Sequence, residues 1–137
     1  QYRRTQTETA EPAELVVMLY RGAINFLQRS VLALRQTDHQ LAHTNILRAE
    51  EILAELNATL DTGAGPLAAN LARIYDYAYW RLVEANCRKD PAPVEEVQGL
   101  LQELLVAWEG AARVMRSGRR DFSAGEISRM FAVGSVS

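Results

Sequence analysis

The chain reads as all-α, an antiparallel four-helix bundle with an extra short C-terminal segment of helical pattern. Three observations predict this. Turn residues cut residues 12–117 into four segments of similar length, apolar residues recur within them at steps of three and four, and no segment alternates as a strand would. Segments of about 22 to 25 residues make helices of roughly 33–38 Å. Short connections between them return each helix against the one before.

The first helix, 12–35, opens at Pro12, whose fixed φ suits a first turn, and the acids Glu11 and Glu14 complement a helix N-terminus. It stops before "QTDHQ" at 36–40. The second, 40–61, runs to "TGAGP" at 62–66, where glycines follow the helix end. The third, 66–88, opens on Pro66 and stops at "KDPAP", 89–93, and the fourth, 93–117, opens on Pro93. The expected organisation is an N-terminal segment 1–11, a bundle 12–117 and a C-terminal tail 118–137.

Each seam follows from the spacing. In the fourth helix it is Val97, Leu101, Leu104, Trp108, Ala111 and Met115. In the third it is Leu67, Leu71, Ile74, Ala78, Leu82 and Ala85. In the second it is Asn45, Ala49, Ile52, Leu56 and Thr59, flanked by Leu53 and Leu60. Core formation accounts for all of these.

Other apolar residues exceed what a seam uses. "AELVVMLYRGAINFL" at 13–27 holds six apolar side chains in a row, Leu15 to Tyr20, and at about 100° per residue these reach every side of a helix. The apolar arc of the first helix covers roughly 200°, from Ala33 through Leu15, Phe26, Leu19, Leu27 and Tyr20 to Ile24. Val17, Met18 and Leu32 fall beyond it, among polar residues. On the second helix Leu47, Ala54 and Ala58 form a smooth strip opposite the seam. On the third, Ala69, Ala72, Tyr79, Trp80 and Val83 form a second face, with Tyr77 further round. Bundle helices touch two neighbours, so wide stripes and scattered surface apolars are ordinary. For the first helix that reading and a binding role both stay open. For the other two, a groove that accepts another helix fits better, because the surplus lies away from the seam.

Chemistry is otherwise sparse. His39 and His43 lie four apart with only Asp38 close by; two histidines without a fixed third ligand make a poor zinc site, and a solvated pair near a helix start is expected. There is no Glu-x-x-His pair of the di-iron kind, and "GAGP" is an inter-helix turn, not a phosphate loop. The single cysteine, Cys87, excludes an internal disulfide and reads as an inert, partly buried thiol. Arg113, Arg116, Arg119 and Arg120 flank a helix C-terminus, where positive charge is favourable. No catalytic constellation, cofactor or metal is expected. A net charge of −2 draws the chain to neither nucleic acid nor anionic membrane, and no apolar run approaches the ~20 residues of a membrane span. "QYRRTQTETAEP" has no signal-peptide h-region, and a start without Met is expected to reflect residues lost or trimmed there.

"TAEPAELVVMLYRGAINFL" resembles the start of the flagellar export chaperones of the FliS type, which run T-A-S-P and then an apolar helix containing L-Y-D-G-A-I. The resemblance continues in "NILRAEEILAELNATLD", "LAANLARIYDYAYWRLVEAN" and "VEEVQGLLQELLVAWEGA", over about residues 2 to 112 with helix order and spacing kept. It implies a cytoplasmic, non-enzymatic four-helix bundle that binds the C-terminal helical segment of flagellin. Such a protein prevents premature polymerisation and helps deliver flagellin to the secretion apparatus, with a component of the flagellar export gate as a further partner. Tyr2 matches the family's N-terminal tyrosine, in a segment associated with covering part of the binding surface. The expected partner-binding residues are Tyr2, Val17, Met18, Leu47, Ala54, Ala58, Ala69, Ala72, Tyr77, Tyr79, Trp80 and Val83.

Three positions depart from the family pattern. Glu11 replaces the serine before the opening proline, which leaves either Thr9 to cap or the helix end to fray. Arg21 replaces an aspartate and is expected at the surface. The tail from Gly118 has no family counterpart, yet Ser123 and Glu126 have capping-box spacing ahead of Ile127, Met130 and Phe131. That spacing predicts a short helix packed on an apolar groove of the same or a neighbouring molecule. The alternative function is a self-associating bundle, a homodimer through the same apolar faces, acting as a structural or adaptor protein.

Overall fold

The computed structural model describes residues 12–116. The expectations for Tyr2, the Thr9 cap and the tail lie outside the described residues. Four helices, α1 (Pro12–Arg35), α2 (His39–Ala58), α3 (Pro66–Arg88) and α4 (Pro91–Arg116), make up the bundle, with no strand among the described residues. Each packs on its chain neighbours, and α1 closes the ring against α4. Two surface ion pairs, Arg21 with Glu109 and Arg35 with Glu95, show the antiparallel register: fourteen residues forward on α1 match fourteen back on α4. Arg21 is thus a surface residue with a partner.

The helix ends follow from local chemistry. α1 stops at Thr37, whose φ of 55° lets Asp38 N–H reach back to the Ala33 carbonyl at 2.8 Å. Asp38 then caps α2 by accepting from Leu41 N–H at 3.2 Å. α2 ends at Ala58, three residues earlier than predicted, because Leu60 and Asp61 lead into a 3₁₀ turn at Thr62–Ala64. Gly65, at φ 143°, makes the bend into Pro66 that a side chain would strain. Lys89, left-handed at φ 54°, ends α3. α4 starts two residues before the predicted Pro93, since Asp90 accepts from Ala92 N–H at 3.0 Å and both prolines fall in a first turn that needs no N–H.

The core differs in detail from the predicted seams. In α3 it runs through Ala68, Leu71, Tyr75, Ala78, Leu82 and Ala85, while Leu67 is exposed and Ile74 half-buried. In α2, Ala42, Ile46 and Leu53 are buried and Ile52 and Thr59 only half so. In α4, Val94 and Ala112 join Val97, Leu101 and Trp108, and Leu104 and Ala111 are half-buried. The ring explains the rotation: each helix has two flanking partners, so the most buried line lies between the two contact directions.

Tyr75 is the main consequence. Its hydroxyl meets that of Tyr20 at 2.7 Å across the diagonal of the bundle, and the rings stand edge to face with centroids 6.3 Å apart. Trp108 lies 6.5 Å from Tyr20, centroid to centroid. Burial pushes the Tyr20 hydroxyl up to about 12 and raises Tyr75 further, helped by Tyr20 itself. Both stay neutral, and the pair satisfies two polar groups that would otherwise be stranded in the core.

Val17 corrects the wheel for α1. It is 7% exposed and belongs to the core, because α1 packs on both α2 and α4 and its buried arc widens to the edge where Val17 sits. Met18 and Leu32, further round, are exposed as the wheel places them. For this residue the ordinary reading of a wide stripe is the correct one.

Candidate partner-binding grooves

Helices α2 and α3 leave a cleft between them of about 340 Å³. Its floor is Leu53 and Tyr75 from the core; its sides are Ala54, Asn57 and Ala58 on α2 and Asp76, Tyr79 and Trp80 on α3. The groove exists because α2 presents methyl groups where α3 presents rings. Two alanines one helical turn apart hold the α2 wall low, while Trp80 stands out at 60% exposure with Tyr79 packed edge-on to it at 5.3 Å. Ala54 and Ala58 are exposed, and Leu47, on the same side of α2, is 39% exposed. Ala69, Ala72, Tyr79 and Val83 are half-buried on the α2 side of α3.

Polar groups lie further along the same two helices. His43 Nδ1 and Asn86 Nδ2 lie 2.8 Å apart and bridge α2 to α3. One turn before Ala54, Glu50 is buried, and burial raises its carboxyl above the usual range, with a smaller opposing effect from the nearby His43. His39 and His43 are both exposed, and among the described residues no group of three or more His, Cys, Asp or Glu is placed to hold a metal. Cys87 is exposed, a correction to the partly buried thiol expected, because it faces outward beside Trp80 and Glu84 on α3 rather than along the seam.

Tyr77 belongs elsewhere. It lines a second cleft, about 570 Å³, between α3 and α4 with Arg73, Ile74, Glu95, Glu96, Gly99, Leu100 and Glu103. Its hydroxyl donates to Glu96 at 2.5 Å, and Arg81 holds the same carboxylate at 2.7 Å. These bonds keep the Glu96 carboxyl below the usual range, the Tyr77 hydroxyl contributing most.

Of the predicted residues, then, Ala54, Ala58, Tyr79 and Trp80 line one cleft, Tyr77 another, and Val17 is core. Asn57, Asp76 and the α4 lining of the second cleft were missed. The first two are polar and read from sequence as solvated surface; projecting them on the same wheel as Ala54 and Tyr79 would have found them.

The fold and clefts define a class: an all-α four-helix bundle with open, apolar-walled grooves between adjacent helices and, among the described residues, no helix long and apolar enough to cross a membrane. The chain belongs to the FliS family: the family model described as flagellar protein FliS matches residues 1–115. It is 35% identical over 118 residues to the flagellar secretion chaperone FliS of Bacillus subtilis, covering 86% of this chain and 88% of that one. It is 39% identical over 103 residues to the protein of the same name in Salmonella typhimurium, covering 74% and 76%.

Proposed function

We propose that this protein is a non-enzymatic flagellar export chaperone that binds the C-terminal helical segment of flagellin in the cytoplasm, prevents its polymerisation and presents it to the export apparatus. The observation that carries this reading is the α2/α3 groove, where the exposed methyl wall of Ala54 and Ala58 faces Tyr79 and Trp80 in a chain of the FliS family. A methyl wall lets a docked helix approach closely, and aromatic walls supply area without much loss of side-chain freedom. A flagellin end that is disordered alone would fold on this surface, with burial on the order of 1,000–3,000 Å² offset by ordering.

Co-purification tests it. Full-length flagellin should be retained and flagellin lacking its last helices should not. Trp80 is exposed and Trp108 buried, so binding should shift Trp80 emission to the blue. Equal retention of both flagellins, or a dimer mass at micromolar concentration without any effect of flagellin, would favour the self-associating bundle.

A further inference from the structure

The α3/α4 groove has features that the first groove lacks. Its apolar floor, Ile74, Gly99 and Leu100, is half-buried, and its rim carries Glu95, Glu96 and Glu103, with Arg73 hydrogen-bonded to Asn70 on its own helix. Glu95 and Glu96 have arginine partners on α1 and α3, while Glu103 projects at the open side of the groove. The groove shares one wall, α4, with the helix that residues 117–137 follow in the chain. That stretch carries Arg119, Arg120 and Arg129 together with Phe122, Ile127, Met130 and Phe131.

The geometry points to the α3/α4 groove as the docking site of this chain's own C-terminal segment, with Ile127, Met130 and Phe131 on the apolar floor and the arginines toward Glu103. Reach is sufficient. Leu100 and Glu103 lie roughly 20–24 Å back from Arg116 along α4. Residues 117–122 span up to about 20 Å extended, and a helix over 123–131 adds about 13 Å. Together these round the end of α4 and bring Met130 level with the groove. The α2/α3 cleft lies on the far side of α3, a further helix width of about 10 Å away, and its lining offers one acid, Asp76. Ile127, Met130 and Phe131 are spaced i, i+3, i+4, so a helix begun by Ser123 and Glu126 shows all three on one side. The segment thereby covers the α3/α4 groove and leaves the α2/α3 groove open, independently of what the latter binds.

The test uses the full chain with Cys87→Ser. One variant adds Leu100→Cys and Met130→Cys, another Ala54→Cys and Met130→Cys, and both are oxidised at low micromolar concentration. The first pair should close an intramolecular disulfide at least ten times faster than the second. Equal rates, preference for position 54, or cross-links between molecules would overturn the proposal. A cysteine-free readout guards against altered packing. Tryptic cleavage at Arg119, Arg120 and Arg129 should quicken about tenfold in Leu100→Glu and in the surface variant Glu103→Arg. The Glu103→Arg chain should melt like the parent protein, and unchanged cleavage in it would equally overturn the proposal.

Discussion

Ala58→Glu separates binding from stability at a single side chain. Ala58 is exposed at the end of α2 and lines the α2/α3 groove. In the free protein the new carboxylate points to water, and its main cost is an unfavourable position at a helix C-terminus. That cost is typically 0.3–1 kcal/mol, about the range of other surface changes. In a complex the same group would face a docked helix, and an unpaired buried charge costs about 3–5 kcal/mol. Each 1.4 kcal/mol is about a factor of ten, so affinity for a peptide spanning the flagellin C-terminal segment should fall at least a hundredfold. Titration calorimetry reads the affinity and circular dichroism the melting temperature, which should drop by only a few degrees. Leu101→Glu, at a fully buried position in α4, is the control that should unfold the bundle. Normal binding by a folded Ala58→Glu protein would refute the reasoning, and unfolding would show that Ala58 is core.

Three further outcomes follow from the interior and the turns. Tyr20→Phe and Tyr75→Phe each strand the other tyrosine's buried hydroxyl, and each should cost about 1–3 kcal/mol. The double variant should be less destabilised than the sum of the singles, as read by urea unfolding. Glu50→Gln should raise the melting temperature at neutral pH. The folded carboxyl titrates above its unfolded value, so its ionised form is a penalty that builds as pH rises through the interval between the two. The gain from Gln should therefore shrink as pH falls through and below the carboxylate range; a pH-independent gain would mean that charge is not the cause. Thr37→Gly should stabilise the bundle by about 0.5–1 kcal/mol, since a β-branched residue at φ 55° gives up strain that glycine does not carry.

The sequence was legible where prolines and glycines punctuate it. All four helices fall within three residues of the predicted bounds, because Pro12, Pro66 and Pro93 can stand only near helix starts and Gly65 suits only a bend. The rotation of each helix was less legible. "RIYDYAYW" offers three tyrosines and a tryptophan within six residues, and spacing alone cannot say that Tyr75 turns inward to meet Tyr20. That choice is made by a residue 55 positions away. The strip Leu47, Ala54 and Ala58 was readable because three apolar residues on the wrong side of a seam have no core to enter. Val17 was misread because burial at the edge of α1 depends on how closely two neighbouring helices approach, which no single-helix wheel contains.

The chain runs as two hairpins side by side, joined by α1 against α4 as well as by α2 against α3. The tight turns 36–38 and 89–90 fasten α1 to α2 and α3 to α4 at one end, and 59–65, at the other end, joins the two hairpins. The α2/α3 seam is therefore joined covalently beside Ala58 and only through side chains at its far end, where His43 meets Asn86. Any separation of α2 from α3 meets least covalent resistance at that far end, and the histidine–asparagine contact bridges the two helices there.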